Sequence, residues 1–251
     1  MRRLVLLAFL SLAIGHAYAA DKPLPDKLID VIVDYIKTNG PDEDSALYIS
    51  FFRDAVWERC DEIADATLPF LKDKSPAKVS GALAVLYRLR VYRPQLGGLR
   101  GVDEPVPWEK IEKHAIFYKK LDKAVFESLE HFHALKDEKV LQNLALYLGV
   151  SPSPESKKEL LRIAKGVQET AKEQALICLA WHRDQKDMDD LLMFMLEDSR
   201  MASSLPYHFR NSYGKEAIPY LKRAITEAKS ETTRRNAQKE LNILEKDISK
   251  P

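Results

Sequence analysis

The sequence predicts an all-α fold assembled from helix pairs that repeat about every 31 residues. Two observations predict it. Apolar residues recur at spacings of three and four through most of the 251 residues, and no segment alternates as a strand would. Only nine glycines and 31% charged residues also favour helices over a loop-rich β fold. The period is read from Ala82, Leu144, Ala175 and Ala237, each followed four residues later by a leucine. They lie 62, 31 and 62 residues apart, all multiples of 31.

The chain opens with Arg2 and Arg3, an apolar run from Leu4 to Leu10 that continues to Ile14, and the exit Ala17-Tyr18-Ala19. A positive start, a short apolar core and an A-x-A exit predict a secretory signal peptide over 1–19, cut after Ala19 or Ala20. The run is too short to cross a bilayer, which needs about 20 residues. No cysteine stands near the cut, so no lipid anchor is expected, and the expected location is periplasmic or secreted. The chain has 39 basic and 38 acidic side chains. Removing Arg2 and Arg3 leaves 37 against 38, a balance that gives no reason to expect nucleic acid or an anionic membrane as partner.

N-terminal helices are expected over 20–92. Leu28, Val31, Ile32, Tyr35 and Ile36 mark the first, stopped by Asn39-Gly40-Pro41. A helical block follows over 44–71, with a possible break near 60–65. Ser75-Pro76 opens a helix to about Tyr92. The pattern then fails over 93–107, where Pro94, Gly97, Gly98, Gly101, Pro105 and Pro107 fall. Helical repeats are expected over 108–251: 109–121, 122–135, 138–148, 157–166, 168–182 and 188–196, then an irregular region over 199–214, then a pair over 216–228 and 231–248. Ser153-Pro154-Glu155 is a helix start with its acid placed for the helix dipole.

The pairing resembles that of HEAT repeats, an α-solenoid family. The likeness rests on a proline in the first helix (Ala66-x-x-Pro69-Phe70-Leu71 and Ala217-x-Pro219-Tyr220-Leu221), Ala-x-x-x-Leu in the second, and acids such as Asp184 and Asp187 before the next helix. It is clearest over 66–89 and 153–244, and Pro206 interrupts the copy expected there. The resemblance implies a stack in which each pair buries its apolar face on its neighbours. It also bears on Cys60 and Cys178, which are 118 residues apart. In an open stack such positions do not meet, and both lie in apolar helical patterns, so two buried thiols are expected rather than a disulfide.

No pattern for catalysis, metal or cofactor emerges, and none is expected. His131 and His133 stand at i and i+2, on different faces of a helix, whereas zinc sites favour i, i+4 pairs or Cys/His clusters. Glu197-Asp198 and Asp189-Asp190 read as helix-end acids. Two segments carry recognition chemistry instead. Residues 87–101 hold Arg88, Arg90, Arg93 and Arg100 before a glycine-rich turn: either they hold an anion or they pair with Asp103 and Glu104. Residues 206–214 combine Tyr207, His208, Arg210 and Tyr213, the residue types of interfaces. Trp108 is either core or surface; Trp57 and Trp181 lie on apolar faces. The expected function is partner binding without catalysis, to a protein or peptide of the cell envelope, through Arg88, Arg93, Arg100, Trp108, Tyr207, His208, Arg210 and Tyr213. The competing expectation is a cell-envelope enzyme acting on glycan or peptide, with a Glu or Asp acid and an arginine-lined anion site. Two convergent carboxylates about 5–10 Å apart would mark it.

Overall fold

The computed structural model describes residues 24–37, 60–91, 108–151, 153–197 and 203–248. Among them every regular element is helical. The expected signal segment, the loop over 93–107 with Arg93 and Arg100, Phe52, Val56 and Trp57 lie outside the described residues. The chain divides into two compact units, one ending at Glu127 and the other beginning at Ser128.

The first unit contains α1 (Leu24–Lys37), α2 (Cys60–Thr67), a 3₁₀ turn (Leu68–Lys72), α3 (Pro76–Val91) and α4 (Trp108–Phe126). Helices α1, α2 and α3 pack on one another, and the 3₁₀ turn touches α2, α3 and α4. Ile32, Ile36, Ile63, Leu71, Leu83 and Leu86 are buried there. Within the second block, of which only the residues from Cys60 on are described, the α-helix gives way at Leu68. Pro69 lacks the N–H that an α-helix would need, and the chain tightens into the 3₁₀ turn. The alternative partners Asp103 and Glu104 lie outside the described residues. Arg90 is buried on α3 and bonds to Asp122 of α4 at 2.5 Å, with its guanidinium 4.8 Å from the centre of the Tyr118 ring. Helix α4 runs on past Leu121, so the expected pair over 109–121 and 122–135 instead joins at 127–128.

The second unit contains α5 (Leu129–Leu135), α6 (Glu138–Gly149), α7 (Pro154–Ala164), α8 (Glu169–Trp181), a 3₁₀ turn (Gln185–Asp187), α9 (Met188–Leu196), α10 (Leu205–Tyr213), a second turn (Gly214–Ala217), α11 (Ile218–Glu227) and α12 (Glu231–Ile248). Their starts follow from local chemistry. Asp137 accepts from the Val140 N–H at 2.9 Å, and Ser153 accepts from the Ser156 N–H at 3.0 Å, with Pro154 in the first turn. Helix α5 ends on Lys136 in the left-handed conformation, φ 52°.

Residues 205–213 are helical, not irregular. Pro206 sits in the first turn of α10, where a helix makes no use of the N–H. Leu205, Pro206, Phe209 and Tyr213 form its buried side. With α10 in place, α6 packs on α8, α8 on α10, and α10 on α12. The helices preceding each are wedged alongside: α7 touches α6 and α8, α9 touches α8 and α10, and α11 touches α9 and α12.

Hydrogen bonds also link successive helices of this unit. The Thr170 N–H donates to Glu138 at 2.7 Å, Ser204 to Glu173 at 3.1 Å, and Asn236 to the Ser203 carbonyl at 2.7 Å. These partners are 31 to 33 residues apart. Apolar burial supplies the cohesion. Phe132, Tyr147, Leu144, Leu148 and Phe209 are fully buried, each contributing about 1.5–3 kcal/mol.

Helices α6 and α8 approach closely at Gly149. A Cβ at Gly149 would lie 2.6 Å from Cys178 Sγ, 2.7 Å from Cys178 Cβ and 3.2 Å from Trp181 Cε3. No side chain fits there. Gly149→Ala is therefore expected to destabilise the fold by about 1–3 kcal/mol, as overpacking does, measured as a lower urea midpoint by circular dichroism. Adding Cys178→Ala, which removes the nearest atom, should recover part of the loss; no recovery would mean the clash is not the cause.

Candidate partner-binding surface

Helix α10 brings Tyr207, His208, Arg210 and Tyr213 onto one short element, and its turns sort them. Tyr207 is the outermost, at 50% exposure. Its ring meets the His208 ring edge-on, 5.1 Å between centres, and the Arg210 guanidinium lies 5.5 Å from the Tyr207 ring centre. Arg210 Nε donates to Glu240 of α12 at 2.5 Å. Glu240 is buried, so the arginine is held from beneath by a charge-assisted bond and from the side by an aromatic face. Tyr213 turns inward: it is buried, and its hydroxyl donates to the Asp184 carbonyl at 3.3 Å.

The other expected site residues lie in the first unit. Arg88 is half-buried on α3, with its guanidinium 5.8 Å from the Tyr87 ring centre. Trp108 begins α4; its side chain, like Arg93 and Arg100, is outside the described residues.

A second polar cluster surrounds the corner after α8. Asp187, at 1% exposure, has Lys157 of α7 in ion-pair contact with its Oδ1, and among the described residues neither of its oxygens accepts a well-aligned hydrogen bond. Lys157 also donates to Asp184 at 3.2 Å, and Asp184 accepts from the Lys186 N–H at 3.0 Å. His182 Nε2 donates to the Leu148 carbonyl at 3.0 Å. Burial, with the nearby Asp184 charge, raises the Asp187 carboxyl above its ordinary 3.8, and the Lys157 bond opposes that rise. Backbone and Lys157 bonds hold Asp184 low. Burial lowers His182 and raises the Tyr213 hydroxyl. Sequence reading placed Asp184 and Asp187 correctly before the next helix. It had no signal for the burial of Asp187, because Lys157 stands 30 positions earlier in the chain. With its carboxylate enclosed and bound by a lysine, Asp187 ties α7 to the 3₁₀ turn.

His131 and His133 diverge, as their spacing requires. His133 bonds to buried Glu159 of α7, whose other oxygen lies 3.7 Å from Arg162; Arg162 in turn forks onto Glu130 at 2.6 and 3.2 Å. Among the described residues no group of three or more His, Cys, Asp or Glu side chains is arranged to hold a metal ion. Cys60 and Cys178 are both buried thiols, and burial pushes the Cys178 thiol up to about 12, which keeps it protonated and unreactive. No family model matches the chain, and no curated protein or solved structure is significantly similar to it.

Two outcomes are expected of this chemistry. Lys157→Met strands a buried carboxylate and should cost about 3 kcal/mol in urea unfolding. Asp187→Asn leaves Lys157 its bond to Asp184 and should cost about 1 kcal/mol or less. Equal losses would show that the pair is not bound as described.

The second outcome concerns acid. His182 and His208 are both lowered from 6.5 by burial. Each therefore binds fewer protons folded than unfolded, so its stabilisation is complete above pH 6.5 and is lost as pH falls through the folded value. The thermal midpoint should fall from pH 7 to pH 5, and less steeply in His182→Gln/His208→Gln. Asp187 acts in the opposite sense, favouring the fold as pH falls toward 3.8, and it is common to both proteins. The difference between them reports the histidines together with the mutual influence of His182 and Asp187.

Proposed function

We propose that this chain is an exported α-solenoid of HEAT-like helix pairs that binds a protein or peptide partner in the cell envelope and is not an enzyme. The observation that carries the reading is the continuous packing of α6 on α8, α8 on α10 and α10 on α12. Within the second unit, helices pack chiefly on helices one or two places away in chain order, as stacked repeats do. Stacked repeats expose the same register on successive helices, which builds an extended surface rather than a single deep site. The period of about 31 residues fits this arrangement, with α10 as the copy that Pro206 interrupts in the sequence.

Binding would use the exposed Tyr207 as an anchor and the fixed Arg210 beside it for a carboxylate. Residues 1–19 would direct export and be removed, placing the chain in the periplasm or outside the cell.

The test is affinity capture from an envelope extract, comparing wild type with Tyr207→Ala/His208→Ala and with Arg93→Ala/Arg100→Ala. The α10 variant is expected to lose at least one partner that wild type retains after a salt wash. Identical partner sets in all three proteins would reject the surface, and the absence of any partner would reject the binding reading. The mass of the chain recovered from the envelope should correspond to a start at Ala20 or Asp21.

A further inference from the structure

The Tyr207 ring has two polar neighbours, and they differ in how firmly they are held. The Arg210 guanidinium lies 5.5 Å from the ring centre and is fixed through Nε by buried Glu240 of α12. The His208 ring meets Tyr207 edge-on, 5.1 Å between centres. Nothing comparable fixes the imidazole. Among the described residues no hydrogen bond engages its ring nitrogens. Packing alone keeps it half-buried against the tyrosine.

The charges around His208 decide what a proton does there. On α10 itself the positions one turn away are Ser204, Leu205, Asn211 and Ser212, none of them charged. Helix α8 brings Glu173 to the start of α10, where it accepts from Ser204 at 3.1 Å, while Lys172 is paired with Glu197. Helix α12 brings Glu240, already bonded to Arg210, and the exposed cations Arg235 and Lys239. The turn after α10 carries exposed Lys215 and Glu216, and α9 carries exposed Asp189 and Asp190. Burial lowers His208 from 6.5, and among the described residues no acid offsets it.

From this cluster we infer that His208 is a proton switch for the Tyr207 surface: neutral, it packs on the Tyr207 ring and keeps the anchor in place; protonated, it leaves the ring for water and the surface releases its partner. The physical reason is a contrast between two cations. An imidazolium in the half-buried place meets no carboxylate, and the ring beside it already carries the Arg210 guanidinium. Arg210 does not give way, because its departure would strand Glu240 in the interior. His208 is therefore the group that moves. Loss of its ring frees Tyr207, and an anchor that must be ordered anew binds more weakly than one already held. The sign follows from proton uptake. The released state binds one more proton than the partner-bound state. Binding is therefore complete above pH 6.5 and falls below the His208 titration, by at most about tenfold per pH unit. This inference rests on the partner-binding reading above and adds its regulation.

The test follows the full chain, isotope-labelled at its histidine and tyrosine rings, by nuclear magnetic resonance from pH 7 to pH 5. The His208 signal should titrate with a midpoint below 6.5, and the Tyr207 ring signal should shift with the same midpoint. In His208→Gln the Tyr207 shift should be absent. A Tyr207 signal that ignores the His208 titration, or that moves equally in His208→Gln, overturns the inference. So does a loss of helicity by circular dichroism in step with the shift, which would make it a report of unfolding. On the partner side, envelope proteins captured by wild type at pH 7 should elute at pH 5, and those captured by His208→Gln should stay bound. If a Tyr207-dependent partner stays on wild type at pH 5, the switch fails and the binding reading stands. If the extract yields no partner at either pH, the binding reading fails and the switch with it.

Discussion

Helices of nine to thirteen residues, the lengths of α6, α8 and α10, are marginal in water by themselves. In the second unit each becomes stable by covering the apolar side of the one before it. Leu144, Leu148, Ala175, Leu179 and Phe209 are buried within this packing. That dependence fixes the distance between helices, and the distance fixes which residues are allowed. At Gly149 the approach of α8 leaves no room for a Cβ, and the small Ala145 and Ala175 share the same interface. Loss of close contact there would expose the apolar sides of two helices at once.

Charge is buried in the second unit at three acids, Glu159, Asp187 and Glu240, and each faces a basic side chain. Arg210 and Glu240 occupy positions that in the neighbouring helices hold Leu148 and Leu179, and Tyr147, Cys178 and Phe209. An ion pair among such residues pays a desolvation cost that an apolar pair avoids. What it supplies is orientation: the guanidinium is held at a defined place beside Tyr207. The Lys157–Asp187 pair works at the corner after α8, where it ties α7 to the 3₁₀ turn. The Arg210 side chain stays partly exposed while Asp187 is enclosed, so chemically similar groups have different surroundings. In the first unit Arg90 resembles the second case, buried against Asp122 and Tyr118.

The helical class was legible because amphipathic periodicity is local: the residues that reveal it lie within two turns of each other. For the same reason Ser153-Pro154 marked the start of α7, and α9 and α12 were placed at their observed ends. Breaks were read less well. Proline was taken as an interruption at 206, where it begins a helix, while the change to a 3₁₀ turn at Leu68–Pro69 was not anticipated. A proline ends a helix or opens one according to whether the preceding turn needs its N–H, and a single-residue signal does not say which. Of the α10 residues, Tyr207 and Tyr213 look alike in the sequence, yet one is half-exposed and the other buried. Their six-residue separation puts them on different sides of the helix, and only the position of α8 and α12 decides which side is outside.

The sequence by itself determined that the described chain is helical and where most helices begin; the spacing of Ala82, Leu144, Ala175 and Ala237 by multiples of 31 is a pattern of the sequence. These follow from local propensity and from a repeated pattern, both carried in the order of residues. Tertiary structure alone decided the partners of Arg90, Lys157 and Arg210, the burial of Asp187 and Glu240, and the exclusion of a side chain at Gly149. Each of these depends on groups about 30 residues apart meeting at van der Waals or hydrogen-bond distance. Such a meeting is set by how whole helices pack, and no local stretch of sequence encodes it.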